Sequence, residues 1–594
     1  MKDLLTTYQE RATSFRQTAE SLENKYNRLA LFRLLLFVSS VGLAIYFWSM
    51  HPLAGAAFIF FSLLGFARFV FWHLSIRKSQ RFHEALTQVN ENEIRAISGD
   101  HSMFADGTSF SDPLHPYLID LDVFGPHSFF QFTNRTSTAI GCRYLAQFLS
   151  RPVEMADIDR RQQSITELKE ELEWRQRFQA YGMATEDDLQ HIESLEEWMS
   201  APSFVENNRL YLFALILNPI WATGVLLLFI FYLPWYAALA LMLPTFWIIR
   251  KTLEPINQTH VRTAKAGKIL AFYADLIRHI EAKDFGAPQL QDLKNVFSTG
   301  PVKASKSIDQ LSYIISQLNV RYNAFAVILN VIGLWDLYWV RRLELWKKIN
   351  REALPQWFDS LQQMEALLSL ATSWYNHPDW SLPTLVEEGP LEATSLGHPL
   401  IAAQERVNND IHIPTEGHIK LVTGSNMAGK STFLRTLGLN VVLAGIGAPV
   451  CASSLRLPIL EVYTSMRTQD ALHESTSSFY AELKRLKTII EAVESRKKVF
   501  FLLDEILKGT NSNDRHTGSK ALIRQLIRSG GSGIIATHDL ELGALEEQYD
   551  GAIENLCMEV AIEDSQLRFD YKIRKGVSKS FNATLLMKEM GIKI

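Results

Sequence analysis

Two stretches of this chain carry no Lys, Arg, Asp or Glu at all: Leu34 to Ala67, 34 residues, and Leu210 to Ile249, 40 residues. A helix needs about 20 apolar residues to cross hydrocarbon, so each stretch is too long for one crossing and long enough for two. His51-Pro52 interrupts the first near its middle, and Pro234 interrupts the second. Proline stops a helix because it lacks an N–H and its ring strikes the carbonyl four residues back. The pattern predicts two helical hairpins, with spans near 31–50, 53–74, 211–232 and 235–251. Lys25, Arg28 and Arg33 precede the first hairpin, and Arg77, Lys78 and Arg81 follow it; Arg209 precedes the second, and Arg250 and Lys251 follow. The excess of positive charge at the outer ends predicts that both termini and the soluble stretches face the cytoplasm. Arg68 is expected either to snorkel to the interface or to mark an early helix end. The two charge-free stretches hold no Asp, Glu or Lys that would mark a transport path.

The rest of the chain is ordinary for a globular protein. Of 594 residues 47% are hydrophobic and 21% charged, which excludes a disordered or collagen-like chain. A net charge of −4 gives no global basic field to draw it onto nucleic acid. Cys142, Cys451 and Cys557 are far apart, with neither disulfide framework nor zinc spacing. Residues 1–30, 75–99, 137–149 and 156–200 read as helices. Residues 253–388 do as well, with breaks near Pro288, Gly300-Pro301 and Pro378. The apolar segment Val327 to Ile332 lies in a stretch of 14 residues between Arg321 and Asp336. That is too short for a span, so a buried core helix is expected. After Pro390 short β-branched runs alternate with helical segments, which predicts a parallel sheet with helices on its faces.

The sharpest chemistry is in that last region. Gly424-Ser425-Asn426-Met427-Ala428-Gly429-Lys430-Ser431-Thr432 matches G-x-x-x-x-G-K-[ST] in full, with an apolar strand before it and a helix from Ser431. Such a loop curls backbone N–H groups around phosphates. Lys430 would reach the β and γ oxygens, Ser431 would ligate Mg²⁺, and the following helix would add its positive end. A second strand, Phe500 to Leu503, ends in Asp504-Glu505. Asp504 is the candidate for holding hydrated Mg²⁺, and Glu505 for orienting or deprotonating the attacking water. A third strand, Gly533 to Thr537, ends at His538, the candidate contact to the γ-phosphate or the water. Three strand ends offering Lys/Ser, Asp/Glu and His suit phosphoryl transfer to water at the carboxyl edge of a sheet. Ser475 to Ser478 open another helical segment. Their hydroxyls are plain helix caps, or else the segment presents N–H groups to a γ-phosphate held by a neighbouring subunit.

These residues resemble the MutS mismatch-repair family. Asn408-Asn409-Asp410-Ile411, Thr423 to Thr432 with its Asn-Met pair, and Ala444 to Val450 follow that family's pattern. So do Ser477 to Leu483, Leu503-Asp504-Glu505 with Gly509-Thr510, and Ala536-Thr537-His538-Asp539. Asp120 to Gly125, Phe129 to Thr138, Gly141, Ile158, Arg161-Gln162 and Leu168 are similar to its helical core. The resemblance implies ATP and Mg²⁺ as ligands, an ABC-like ATPase fold, and a homodimer with a composite site in which Ser477 contacts the other copy's ATP. It also implies DNA as a partner. Ser425 stands where the family usually has proline, and Lys508 where it usually has arginine. The resemblance does not extend to the family's N-terminal mismatch-reading domain or to a nuclease domain, so mismatch specificity is not implied.

The expected architecture is therefore multidomain α and α/β. It comprises a cytoplasmic helix (1–30), transmembrane hairpin 1 (31–74), a MutS-like helical core part (75–205), transmembrane hairpin 2 (206–252), a core and lever part (253–391) and a P-loop ATPase domain (392–594). The location expected is the inner, cytoplasmic membrane, multi-pass, with both termini and the ATPase domain cytoplasmic. Two functions fit. One is a membrane-anchored MutS-like ATPase that binds double-stranded or branched DNA, with Arg135, Arg143, Arg160, Arg161, Arg175 and Arg177 as candidate phosphate contacts. The other is an ATP-driven switch for a membrane protein complex that binds no DNA.

Overall fold

The computed structural model describes the whole chain except residues 1, 153, 184–188, 233, 265, 324–325, 426, 468–477, 496, 550, 564–565 and 579–594. Helix α1 (Lys2–Met50) and helix α2 (Pro52–Ile97) form an antiparallel pair. Ring contacts Tyr26–His73, Phe32–Phe69, Phe37–Phe66 and Phe47–Phe58 run along it as a ladder. The turn falls at His51, whose Nδ1 accepts from the Leu53 N–H at 3.2 Å, with Pro52 opening α2 where no N–H is needed. No break occurs near residue 30, at Arg68 or near residue 75. The polar and apolar halves of each helix are continuous, because a change of polarity without Gly or Pro leaves the i→i−4 ladder intact. The apolar half of the pair is bare, with Leu34, Phe37, Ile45 and Phe61 exposed. The polar half is bolted to the body of the protein: Tyr8 is buried and donates to Asn376 Oδ1 at 2.8 Å, and Arg11 donates to Gln176 at 2.7 Å.

The helical body follows. Helices α3 (Phe129–Thr133), α4 (Ala139–Ser150), α5 (Met155–Glu170), α6 (Leu172–Gly182) and α7 (Leu189–Ser200) replace the single helix expected over 156–200 with three, the first break falling at Glu171. Then come α8 (Arg209–Phe231), α9 (Trp235–Leu241), α10 (Leu243–Thr263), α11 (Ala266–Glu281), α12 (Pro288–Val296), α13 (Ala304–Asn319), α14 (Ala326–Gly333), α15 (Trp335–Asn350) and α16 (Ala353–Asn376). The gaps beside Pro288, at Gly300-Pro301 and before Pro378 fall where the sequence places them. Helix α16 is buried along most of its length and packs on α4, α5 and α12. Its Glu365 accepts from the Ser137 N–H and hydroxyl at 2.9 and 2.7 Å. A Cβ on Gly141 would fall 1.9 Å from Glu365 Oε2, so only glycine fits there.

Two expectations fail here. The span near 235–251 is not one helix but two, broken at Met242, because Pro244 removes a donor and clashes with the preceding turn. Helices α1, α2 and α8 are long and apolar enough to cross a membrane; α9 and α10 are not. The segment Val327 to Ile332 is not a core helix either. In α14 only Ala326 is buried, and Val327 and Ile328 are 70% and 56% exposed.

The α/β part begins earlier than residue 392. Strands β1 (Thr384–Val386), β2 (Leu391–Leu396), β3 (Asn409–Ile413), β4 (Ile419–Gly424), β5 (Ser454–Pro458), β6 (Glu461–Ser465), β7 (Val499–Asp504), β8 (Ser532–Thr537), β9 (Ile553–Glu563) and β10 (Gln566–Lys575) build two sheets. Helices α17 (Lys430–Gly445), α18 (Ser478–Glu494), α19 (Ser512–Arg528) and α20 (Leu545–Gln548) connect them. One sheet is a mixed β1-β5-β2-β3 sheet, which the sequence pattern did not foretell. The other is β10-β9-β4-β8-β7-β6, parallel except for β10. Strands β4, β7 and β8 are buried at every position, which explains their unbroken apolar sequences.

One carboxylate carries several of the bonds between the body and the α/β part. Asp120 accepts from the Thr464 hydroxyl at 2.7 Å and from the N–H groups of Met466 and Arg467 at 3.1 and 3.0 Å. Its own carbonyl accepts from Arg435 of α17 at 2.9 Å.

Candidate nucleotide site

Strand β8 lies between β4 and β7, and this order decides the site. In register, Thr423 faces Thr537, and Asp504 faces Ala536. The Glu505 N–H continues the pairing onto the Ala536 carbonyl at 2.9 Å. The ends of the three strands thus open on one edge, with α17 starting directly above β4. Gly424 closes β4, and a Cβ there would meet the Met558 carbonyl at 2.7 Å. Gly429 caps α17 at φ +99°, and the Tyr571 ring occupies the space a Cβ would need. Met427, Glu505 and Leu507 also sit at positive φ, at 68°, 50° and 60°. Strained backbone thus gathers at this edge, as it does where geometry is held for chemistry.

Lys430 is buried and donates to the carbonyls of Gly424 and Ser425 at 2.9 and 3.1 Å. Its ammonium lies 3.3 Å from His538 Nε2. Burial lowers its pKa, while Asp504 and Glu505 pull it back up. Ser431 donates to Asp504 Oδ2. The other oxygen, Asp504 Oδ1, is buried without a hydrogen-bond partner. An orphaned carboxylate oxygen beside a serine hydroxyl is the donor set a magnesium ion takes, so these residues fit the metal. Glu505 Oε1 lies 2.7 Å from His538 Nε2, and Glu505 Oε2 lies 3.3 Å from Lys508 Nζ. The hydrogen bond from His538 is the main reason the Glu505 carboxyl is held down at about 2. Behind His538, His516 of α19 is bonded to Asp539 Oδ2 at 2.7 Å and fixes the end of β8.

A cavity of about 540 Å³ opens beside this edge. Ser425, Met427, Gly429, Lys430, Ser431, Thr432 and Glu505 line one side. Ala428 is buried beneath it. His398, Ile401, Phe433 and Tyr571 line the other side, and none of these was marked in the sequence. His398 is pushed down to about 4 by burial, so it is neutral at pH 7. The only sequence signal for Tyr571 would have been its place in a strand pair with a register shift between Phe569 and Ile573. Asn426 and Ser477 lie outside the described residues.

The arginines suggested for nucleic-acid contact are engaged elsewhere. Arg135 is buried against Glu93, with Nε–Oε1 at 2.5 Å. Arg161 is buried, donates to the Ile446 carbonyl and stacks on Phe148. Arg175 is buried and donates to Thr372. Arg160 pairs with Asp292, Arg177 with Glu173, and Arg143 with Glu193 at 3.9 Å.

A glycine-rich loop between a parallel strand and a helix, facing two carboxylates and a histidine on neighbouring strand ends, makes this α/β domain a candidate nucleotide binder. Residues 420–588 match the MutS domain V family. The DNA mismatch repair protein MutS of Thermotoga petrophila is 32% identical over 238 residues, covering 39% of this chain and 29% of that protein. MutS of Aquifex pyrophilus is 27% identical over 336 residues, 54% of this chain and 36% of its own length. The mismatch repair protein MSH3 of Phaeosphaeria nodorum is 31% identical over 238 residues, 38% and 21% respectively. The similarity to MutS proteins is thus centred on this domain, and the match spans between about a fifth and just over a third of those relatives' length.

Proposed function

We propose that this protein is a membrane-anchored, MutS-like ATP hydrolase that works as a pair of copies. The observation that carries the reading is the convergence of Lys430, Ser431, Asp504, Glu505 and His538 on one carboxyl edge of a parallel sheet. The loop N–H groups and the N-terminus of α17 receive the phosphates. Lys430, freed from the Gly424 and Ser425 carbonyls, pairs with the β and γ oxygens. Ser431 and Asp504 hold Mg²⁺, which neutralises charge on the phosphates when bound. Glu505, ionised through its bond to His538, orients the attacking water and accepts its proton. His538 sits between Glu505 and Lys430, at the place where the terminal phosphate's charge develops. By resemblance, Ser477 of one copy completes the site of the other.

Membrane anchoring rests on α1, α2 and α8 and on their basic flanks. With the broken segment α9–α10 as the return after α8, which makes the number of crossings even, both termini and the ATPase domain would lie on the cytoplasmic side of the inner membrane. The test is Mg²⁺-dependent ATP hydrolysis by the full chain purified in detergent. Absence of any nucleotide binding heat in folded protein would end the reading.

DNA is the proposed partner because the relatives are mismatch repair proteins. A second reading, an ATP-driven switch on a membrane protein complex, is favoured by one observation: Arg135, Arg161 and Arg175, three of the six arginines that might have met phosphates, are buried and bonded within the protein. Binding to homoduplex, mismatched and branched DNA across a salt titration separates the two. No binding at low salt selects the switch.

A further inference from the structure

Helix α14 is a short apolar helix whose outer face nothing among the described residues covers. Between Arg321 and Asp336 the chain carries no charged residue. These two bounding residues neutralise each other, with Arg321 Nε 3.5 Å from Asp336 Oδ2 and both side chains 11% exposed. Val327, Ile328 and Ile332 are exposed, and so is Tyr322 before them. In water this face would be a liability. In hydrocarbon the problem moves to the helix ends, where unpaired carbonyls cost several kcal/mol each.

The ends are answered by side chains. Asn218, buried in α8, donates from Nδ2 to both the Val331 and Ile332 carbonyls at 3.1 Å. Its Oδ1 accepts from the Thr245 hydroxyl of α10 at 2.6 Å. Asn330 donates to the Ala326 carbonyl at 3.1 Å and accepts from the Asp336 N–H at 3.0 Å. Asn218 lies nine residues into α8, roughly 14 Å along its axis from Arg209. That is about half the ~30 Å hydrocarbon thickness. The outward face of α8 at the same depth, with Phe213, Ile216 and Ile220, is exposed and apolar as well.

We infer that α14 is a re-entrant membrane element, seated in the bilayer against the first half of α8, with lipid acyl chains covering its Val327 and Ile328 face. This rests on the reading that α8 spans the membrane. The occupant is lipid because the face is aliphatic, lacks a charged rim and lies at the same depth as the bare outward face of α8. The clamp by Asn218 is the device that lets irregular backbone enter hydrocarbon.

The test uses the full chain in phosphatidylcholine–phosphatidylglycerol vesicles, with Cys142, Cys451 and Cys557 replaced by serine. Nitroxide labels are placed singly through Val327→Cys, Ile328→Cys, Ile220→Cys on α8, and Asn513→Cys on the exposed side of α19. Accessibility to oxygen and to a water-soluble nickel complex is read by power saturation. The expected result is an oxygen-to-nickel ratio at 327 and 328 close to that at 220 and severalfold above that at 513. If 220 reads as lipid while 327 and 328 read as water, the inference about α14 falls and the span survives. Shielding of 327 and 328 from both reagents would mean a protein cover, such as a second copy, and would also overturn it. Nickel access at 220 would remove the span itself and the inference with it. Asn218→Leu should lower the ratio at 328 and leave 220 unchanged; an unchanged 328 would overturn the clamp.

Discussion

Glu505 and His538 meet at 2.7 Å across the ends of two adjacent strands, although the histidine follows a different helix and a different strand. The bond keeps the carboxylate ionised far below the ordinary glutamate value of 4.5. Its contribution to stability is full above about pH 4.5 and is lost as the pH falls towards 2, because only the charged form is favoured in the fold. Glu505→Gln should lower ATP hydrolysis by about 10²–10⁴-fold while leaving ATP binding intact, the size expected for losing a positioned base. In His538→Ala, Glu505 titrates nearer its ordinary value, so the acid limb of the rate profile moves up in pH. Rates measured from pH 4 to 8 decide this, and coincident limbs would contradict it.

Lys430 is a buried cation whose charge is costly to desolvate and is offset by Asp504 and Glu505. Lys430→Ala should weaken ATP binding by about tenfold or more, equivalent to roughly 1.4 kcal/mol or above. It should leave the unfolding temperature of the nucleotide-free protein within a few degrees. Calorimetric titration and a thermal melt check both halves.

Glu93 and Arg135 tie the base of the α1–α2 pair to the helical body, with Asn376 donating to Glu93 at 2.7 Å and Tyr8 donating to Asn376. Both charged side chains are 3% exposed. Removing either alone strands a buried charge, at a cost of about 3–5 kcal/mol. Glu93→Ala and Arg135→Ala should each destabilise by that order, and the double variant by less than their sum. Thermal unfolding in one detergent measures the cycle; additive losses would show that the pair does not act as a unit.

Asp120 receives three hydrogen bonds from residues 464–467, next to β6. Asp120→Ala leaves the buried Met466 N–H unanswered, at about 1–3 kcal/mol, and the part-buried Arg467 N–H open to water at a smaller cost. The expected outcome is reduced stability together with a loss of hydrolysis larger than the loss of ATP affinity, since the cavity residues are untouched. Parallel melts and a kcat against KM comparison test it. An unchanged kcat would limit Asp120 to a structural role.

Much of the site could be read from order along the chain. The glycine loop, Asp504-Glu505 and His538 each stand at the end of an apolar run, and a buried parallel strand leaves that run no room for polar residues. Tyr571 and His398 escaped notice because neither sits in a pattern; they reach the cavity only through the pairing of β10 and the path after β2. The six arginines show the converse. Their charge was visible, but the burial of Arg135, Arg161 and Arg175 depends on partners far away in sequence.

By itself the sequence determined which residues are available and where helices and strands begin, because periodicity, proline and glycine act over a few residues. It determined the turn at His51-Pro52 and the loop before Lys430 in this way. The tertiary structure alone decided that β8 slots between β4 and β7 and that Asn218 meets the carbonyls of α14. Both are contacts between distant residues. Their free energy comes from packing whole elements together, which no local spacing encodes.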